Sequence, residues 1–207
     1  MLTLLLHVRT TWRDFFNIDN NINSQIFTSR QIPSDSNVYI IDCLFTGCIS
    51  SGNGGALYCS TSVTYFLIES SSFFSCKTSG SNGGAIYFSN ANNGQSVFHK
   101  VCGNDCCLTC TSRSEGQFSY TIVKNGTSSK NYVNYSSISR CVNVNSNISE
   151  PLCIIHGIIC CPSVNIYRWS GLYCHPFGDS DSVTFTLSYS TFTSSIAAAS
   201  IFIIFGN

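Results

Sequence analysis

A chain of 207 residues has room for one domain with a sizeable core and hardly for two. Only 10% of its residues are charged, ten basic against ten acidic, so the basic surface with which nucleic-acid binders neutralise phosphates is missing. Ser, Thr and Asn supply the polarity and Val, Ile, Phe and Tyr the apolar bulk, an all-β composition too apolar for a disordered chain.

The first 37 residues differ in kind from the rest. Met1–Leu6 is apolar, but His7 and Arg9 cut the run short of a signal-peptide core of about 7–15 residues. Leu2, Leu4, Leu5, Leu6, Trp12, Phe15 and Phe16 fit a short amphipathic helix with Asp14 facing away. The segment 1–37 reads as an N-terminal cap, because a solenoid needs its open end covered, or as an irregular segment.

From residue 38 the chain repeats. Val38-Tyr-Ile-Ile-Asp-Cys-Leu-Phe-Thr-Gly-Cys48 superposes without a gap on Phe66-Leu-Ile-Glu-Ser-Ser-Ser-Phe-Phe-Ser-Cys76, which sets Val38 on Phe66, Ile40 on Ile68, Phe45 on Phe73 and Cys48 on Cys76. A polar turn follows each block and ends in Asn53-Gly-Gly-Ala-Leu-Tyr58 and Asn82-Gly-Gly-Ala-Ile-Tyr87. Later copies are degraded. Val97, Phe98 and Val101 suggest one, followed by an irregular Cys-rich insertion near 103–130. Tyr132–Cys141 keeps Val133 and Ile138 at the aliphatic positions before its cysteine, and Val183–Phe192 alternates apolar and polar residues as a half-buried strand does. Ile201–Phe205 reads as a strand with nothing after it, which fits a fragment of a longer solenoid or end-to-end pairing.

A unit of about 28 residues with several short strands cannot bury its own apolar face. Stacking the next copy on top sets like over like about 4.8 Å apart and buries a continuous core. The expected fold is therefore an all-β, right-handed parallel β-helix over 38–207. The candidate turn motif is Gly54, Gly55 and Ala56 with Gly83, Gly84 and Ala85, whose glycines admit positive φ at a sharp corner. A hairpin sandwich is the plainer alternative, but signals such as Asn125-Gly126 do not recur with a meander's spacing.

Gly54-Gly-Ala-Leu57 and Gly83-Gly-Ala-Ile86 resemble the GGA[ILV] tetrapeptide of polymorphic outer-membrane protein repeats in bacterial autotransporter passengers. Those repeats pair it with an FxxN element; here Phe45-Thr-Gly-Cys48 and Phe73-Phe-Ser-Cys76 carry cysteine in place of the asparagine. That substitution is similar to the right-handed β-helix family of trichomonad protists. The resemblance covers 38–89, implies a parallel β-helix, suggests a surface or secreted protein with a contact or adhesion role, and transfers no catalytic residue.

Candidate chemistry is thin. Cys102, Cys106, Cys107 and Cys110 are dense, with His99 nearby, but a second clean pair of the kind tetrahedral zinc uses is missing; local disulfides or buried thiols are the plainer reading. Cys160 and Cys161 are neighbours, so one faces inward and one outward. Cys48 and Cys76 fall in one column of adjacent coils at a separation a disulfide accepts, against the plain alternative of stacked buried thiols. Cys43 and Cys59 have no role assigned. β-Helix glycosidases and lyases need clustered carboxylates on an open face. Asp179 and Asp181 are the one close pair and suit a turn; His156 and His175 lack partners in sequence, and Ser70–Ser72 lacks a base. Asn125, Asn134 and Asn147 begin glycosylation sequons, as chance alone produces in so Asn- and Ser-rich a chain.

The expectation is thus a non-catalytic structural or recognition module of a surface or secreted protein, with no metal or cofactor. Its partner would be a host or neighbouring-cell protein or a carbohydrate. The alternatives are a carbohydrate-active β-helix enzyme with its acids elsewhere, told apart by a groove gathering Asp42, Glu69 and a third acid, and a truncated family member without independent function.

Overall fold

The computed structural model describes residues 12–16, 25–109, 115–142, 152–169, 177–180 and 184–194. A short helix, α1 (Trp12–Phe16), precedes β1 (Ile26–Phe27). The first coil is β2 (Asn37–Ile41), β3 (Leu44–Thr46), β4 (Ile49–Ser50) and β5 (Leu57–Cys59). The second is β6 (Tyr65–Glu69), β7 (Ser72–Phe74), β8 (Lys77–Thr78) and β9 (Ile86–Ser89), and the third is β10 (Gln95–His99), β11 (Cys102–Asn104), β12 (Cys107–Leu108) and β13 (Ser119–Ile122). β14 (Lys130–Asn134), β15 (Ser137–Ser139) and β16 (Leu152–Ile155) follow, then β17 (Ile158–Pro162), β18 (Asn165–Trp169) and β19 (Phe177–Ser180), and last β20 (Thr184–Ser188) and β21 (Thr191–Ser194).

Equivalent strands stack in four sheets, β1-β3-β7-β11-β15-β18-β21, β2-β6-β10-β14-β17-β20, β4-β8-β12 and β5-β9-β13-β16-β19, and every named strand pair is parallel. The fold is a parallel β-solenoid. The expected first register holds, with Val38 on Phe66, Ile40 on Ile68 and Phe45 on Phe73. Coil length then varies, since Phe66 pairs with Ser96 and Ser96 with Asn131 before Lys130 pairs with Ile158. The extra residues lie in the corners, where the chain leaves the ladder and added length disturbs no pairing.

The described residues of the segment 103–130 form strands of the coil rather than an irregular stretch. β12, β13 and the end of β11 occupy the same columns as their counterparts below, with Ser119 on Ile86 and Cys107 on Lys77; residues 110–114 lie outside the described set. It looked irregular because its corner motif had degenerated, not because the coil stops.

Of the N-terminal segment, the described residues 12–16 and 25–37 lie against the side and the first coil of the stack. Phe15 and Phe16 of α1 pack sideways against Tyr39, Leu67 and Val97, the outward-facing residues of β2, β6 and β10. Three apolar residues on an outer sheet face need cover, and α1 supplies it. The coil stack itself is extended by β1 and by a bridge from Gln31 to Leu57, with the Phe27 ring stacked 4.8 Å from that of Phe45. The C-terminal strand expected at Ile201–Phe205 lies outside the described residues.

Two of the corners that join the four sheets use the left-handed conformation with Gly47 as their one glycine among the described residues. Asp42, Ser70, Lys100, Tyr135, Ser163 and Tyr189 form one column with φ between 46° and 57°. Gly47, Ser75, Asp105 and Arg140 form the second. A non-glycine residue there costs about 1–2 kcal/mol, offset here by the coil-to-coil ladder on either side. Just inside the first column, Cys43, Ser71, Val101, Ser136, Val164 and Ser190 alternate in kind. Each serine oxygen accepts the backbone N–H of the residue one coil earlier, Ser71 from Cys43 at 3.0 Å, Ser136 from Val101 at 3.1 Å and Ser190 from Val164 at 3.0 Å. Each hydroxyl in turn donates to the carbonyl two residues back, that of Glu69, Asn134 or Ser188. These hydroxyls satisfy backbone groups that the corner strands away from the sheet ladder.

Candidate functional site

The Gly-Gly-Ala motif builds the third corner, and its two glycines are needed for different reasons. Gly54 and Gly83 adopt φ of 72° and 67°. Gly55 and Gly84 do not; they are glycine because a Cβ there would lie 2.4 Å from the Gly84 carbonyl oxygen and 2.0 Å from that of Gln117 on the next coil. Ala56 and Ala85 are fully buried, and the corners bond in register, Gly54 N–H to the Gly83 carbonyl at 3.0 Å and Ala56 to Ala85 at 2.8 Å. A third corner, Gly116-Gln-Phe-Ser-Tyr120, was not apparent from the tetrapeptide. Gly116 again has φ of 70°, and the Gly-x3-Tyr spacing that it shares with Gly54…Tyr58 and Gly83…Tyr87 is the signal that finds it.

The tyrosine after each corner points outward. Tyr58 and Tyr87 stack at 5.2 Å, and Tyr87 and Tyr120 at 5.5 Å, with planes 6° and 5° apart. Arg30 closes the lower end, its guanidinium 4.8 Å from the Tyr58 ring centre and its Nε donating to the Gly54 carbonyl at 2.9 Å. Burial, with Cys153 and Glu115 alongside, pushes the Tyr120 phenol above its ordinary pKa of 10.0. The rings occupy one another's faces, so this column presents mainly edges.

The outer face of β1-β3-β7-β11-β15-β18-β21 is organised differently. One column runs Ile26, Leu44, Ser72, Cys102, Ser137 and Asn165; the next runs Thr46, Phe74, Asn104, Ser139 and Tyr167. Phe74 and Tyr167 are 48% and 38% exposed, and their column neighbours Thr46, Asn104 and Ser139 carry no ring to stack on them. Three coil spacings, about 14 Å, separate them. Arg140 donates from Nη2 to Asn104 Oδ1 at 2.8 Å, and Asp105 lies 2.6 Å from the Ser75 hydroxyl and 3.3 Å from Lys77 Nζ, which gives the aromatic column a polar edge. The Ser75 hydroxyl, against some burial and with help from Lys77, holds the Asp105 carboxyl below its ordinary pKa. Flat, mostly uncharged and rich in amide, hydroxyl and aromatic groups, such a surface can stack on and hydrogen-bond to a neutral partner.

The other residues singled out from sequence are dispersed. Cys102 faces outward and is exposed, Cys106 is buried, and Cys107 is half-buried; Cys110 lies outside the described residues. Among the described residues no group of three His, Cys, Asp or Glu could hold a metal ion. Of the neighbouring pair, Cys160 is half-buried and Cys161 fully buried. Cys43 and Cys59 are buried in the main core. Glu69 is buried and accepts the Tyr39 hydroxyl at 2.5 Å, while Asp42, at the adjoining corner, touches it through backbone. The two do not line an open groove with a third acid among the described residues. Asp181, His175 and Asn147 lie outside those residues, and Asp179 is placed on β19. Of the other two sequon residues, Asn125 is exposed and Asn134 is only 8% exposed within β14.

No protein-family model, no curated protein and no solved structure matches the chain. The functional reading therefore rests on the faces of the solenoid.

Proposed function

We propose that the chain is a non-catalytic structural and recognition module, a β-helix of the GGA[ILV] kind, borne by a surface or secreted protein with a contact or adhesion role. The observation that carries this reading is the outer face bearing Phe74, Asn104, Ser139 and Tyr167, two part-exposed rings on a hydroxyl- and amide-lined sheet. Such a face suits a neighbouring-cell protein or a neutral glycan, where aromatic stacking and hydrogen bonds replace charge pairing. Side chains on a sheet with coils stacked in register form a rigid array, so little ordering entropy is lost on contact.

The test uses cells that express the full protein. Antibody staining of intact cells before permeabilisation supports surface display; staining only afterwards contradicts it. On displayed protein, Phe74→Ala/Tyr167→Ala lowers cell-to-cell attachment while leaving the thermal midpoint within a few degrees of wild type. Unchanged attachment removes this face from the contact role.

A further inference from the structure

The cysteine column foreseen at Cys48 and Cys76 is longer than two. Cys106 and Cys141 continue it, so four successive coils place a buried cysteine at one inward position, each directly after a left-handed corner residue: Gly47, Ser75, Asp105 and Arg140. All four side chains take the same direction. Each Sγ approaches the carbonyl two residues back, Cys48 that of Thr46 at 3.9 Å, Cys76 that of Phe74 at 3.5 Å, Cys106 that of Asn104 at 3.4 Å and Cys141 that of Ser139 at 3.4 Å. Coil-to-coil bonds fix the register, with Lys77 N–H on the Cys48 carbonyl at 2.9 Å and Cys107 N–H on the Cys76 carbonyl at 3.2 Å. The Cys76 N–H also reaches the Cys106 sulfur at 3.4 Å.

Packing alone does not require cysteine here. The neighbouring inward columns change residue type from coil to coil, Val38–Phe66–Ser96–Asn131 and Phe45–Phe73–Gly103–Ile138, and keep the core filled. A column that holds one small residue through four coils, when Ala, Val or Ser would fit the volume, points to its chemistry. In the structure all four are thiols.

We propose that Cys48, Cys76, Cys106 and Cys141 are a cross-coil oxidation site, closing as two disulfides, Cys48–Cys76 and Cys106–Cys141, when the chain folds in the presence of a low-molecular-weight disulfide. Adjacent coils hold their Cα atoms about 4.8 Å apart, inside the range of 4.4–6.8 Å that a disulfide accepts. Parallel Cβ atoms at that spacing draw together by about 1 Å to reach the usual disulfide separation of about 3.8 Å. Four thiols in a row have only one pairing of neighbours that leaves none over.

The step is thiol–disulfide exchange. One cysteine thiolate attacks RS–SR, forms Cys–S–S–R and expels RS⁻, which takes up the proton the cysteine gave up. The neighbouring thiolate then attacks the mixed disulfide, forms Cys–S–S–Cys and releases the second RSH. Two cysteine thiols are oxidised and one external disulfide is reduced to two thiols. Burial disfavours the thiolate, so exchange belongs to the stage at which coils are still stacking. The proposal is independent of the reading of the outer face.

The full chain is refolded with mixed reduced and oxidised glutathione, its remaining thiols are alkylated, and the unreduced digest is mapped by mass spectrometry. The expected result is peptide pairs linked through Cys48–Cys76 and Cys106–Cys141, each lost on reduction. All four residues alkylated in a chain with a β-type circular dichroism spectrum overturns the proposal, and so does Cys76–Cys106 as the dominant link. Two variants check the spacing. Cys48→Ser/Cys141→Ser leaves adjacent thiols, and a Cys76–Cys106 bond forms. Cys76→Ser/Cys141→Ser leaves Cys48 and Cys106 two coils apart, about 10 Å, and a bond between them contradicts the register.

Discussion

Gly103 and Phe118 share one space: a Cβ on Gly103 would lie 2.5 Å from the Phe118 ring. In the two coils below, Phe45 and Phe73 occupy the Gly103 position and Ala56 and Ala85 the Phe118 position. The third coil thus exchanges large and small across the core and keeps its volume, with Phe118 edge-on to Phe73 at 5.7 Å. Restoring the repeat with Gly103→Phe should overpack the core and cost at least about 1–3 kcal/mol. Phe118→Ala alone should cost about 3–5 kcal/mol through the cavity it leaves. Denaturant unfolding of the double variant should recover much of the sum of the single losses; simple additivity would separate the two sites.

This exchange explains how much was legible in the sequence. The coil from Val38 to Tyr58 and its copy from Phe66 to Tyr87 are readable because the large inward residues recur in place, Val38 with Phe66, Ile40 with Ile68, Phe45 with Phe73 and Leu57 with Ile86. Gly103 with Phe118 preserves the core while erasing the motif, so a regular coil read as an insertion. The serine column escaped notice because it recurs only on alternate coils. The outer face escaped it because Phe74 and Tyr167 fill one column of different residue types, and only the register brings them into line.

The second glycine of the two Gly-Gly-Ala corners, Gly55 and Gly84, should tolerate nothing larger. Gly84→Ala drives a methyl against the Gln117 carbonyl and should cost about 1–3 kcal/mol, whereas a Cβ on Gly126 meets only the Ser129 hydroxyl at 3.4 Å. Thermal melts should show a marked drop for Gly84→Ala and little change for Gly126→Ala. Equal effects would contradict the stacking of corners.

Ser136 tests the alternating hydroxyls. Ser136→Ala leaves the buried N–H of Val101 without its acceptor and should cost about 1–3 kcal/mol. Ser137→Ala, one residue further on the outer face, should fall within about 0.5 kcal/mol of wild type. Hydrogen exchange at the Val101 amide should quicken only in the first.

Reduced protein should lose stability in alkali. Burial, with Cys76 alongside, pushes the Cys48 thiol up to about 12 from 9.0, burial raises Cys59, and the hydrogen bond with Cys106 followed by burial raises Cys76. Unfolded thiols lose their protons near 9 while folded ones keep them, so the folded form binds more protons above that pH. Stability is fully present below about pH 9 and declines as pH climbs through the gap toward the folded values. Melting midpoints of reduced protein should be level up to about pH 9 and fall beyond it; a level profile through about pH 11 would contradict the burial of these thiols.

The stacking of coils in one register is measured most directly between Leu44 and Asn165, which stand in one outward column with Ser72, Cys102 and Ser137 between them. Spin labels carried there on noncanonical side chains, which leave the cysteines untouched, should give a narrow dipolar distance distribution. Four coil spacings place the two Cα atoms about 19 Å apart, and the measured peak should lie within a few ångströms of that once label length is allowed for. A broad distribution, or a peak beyond about 30 Å, would contradict the parallel register.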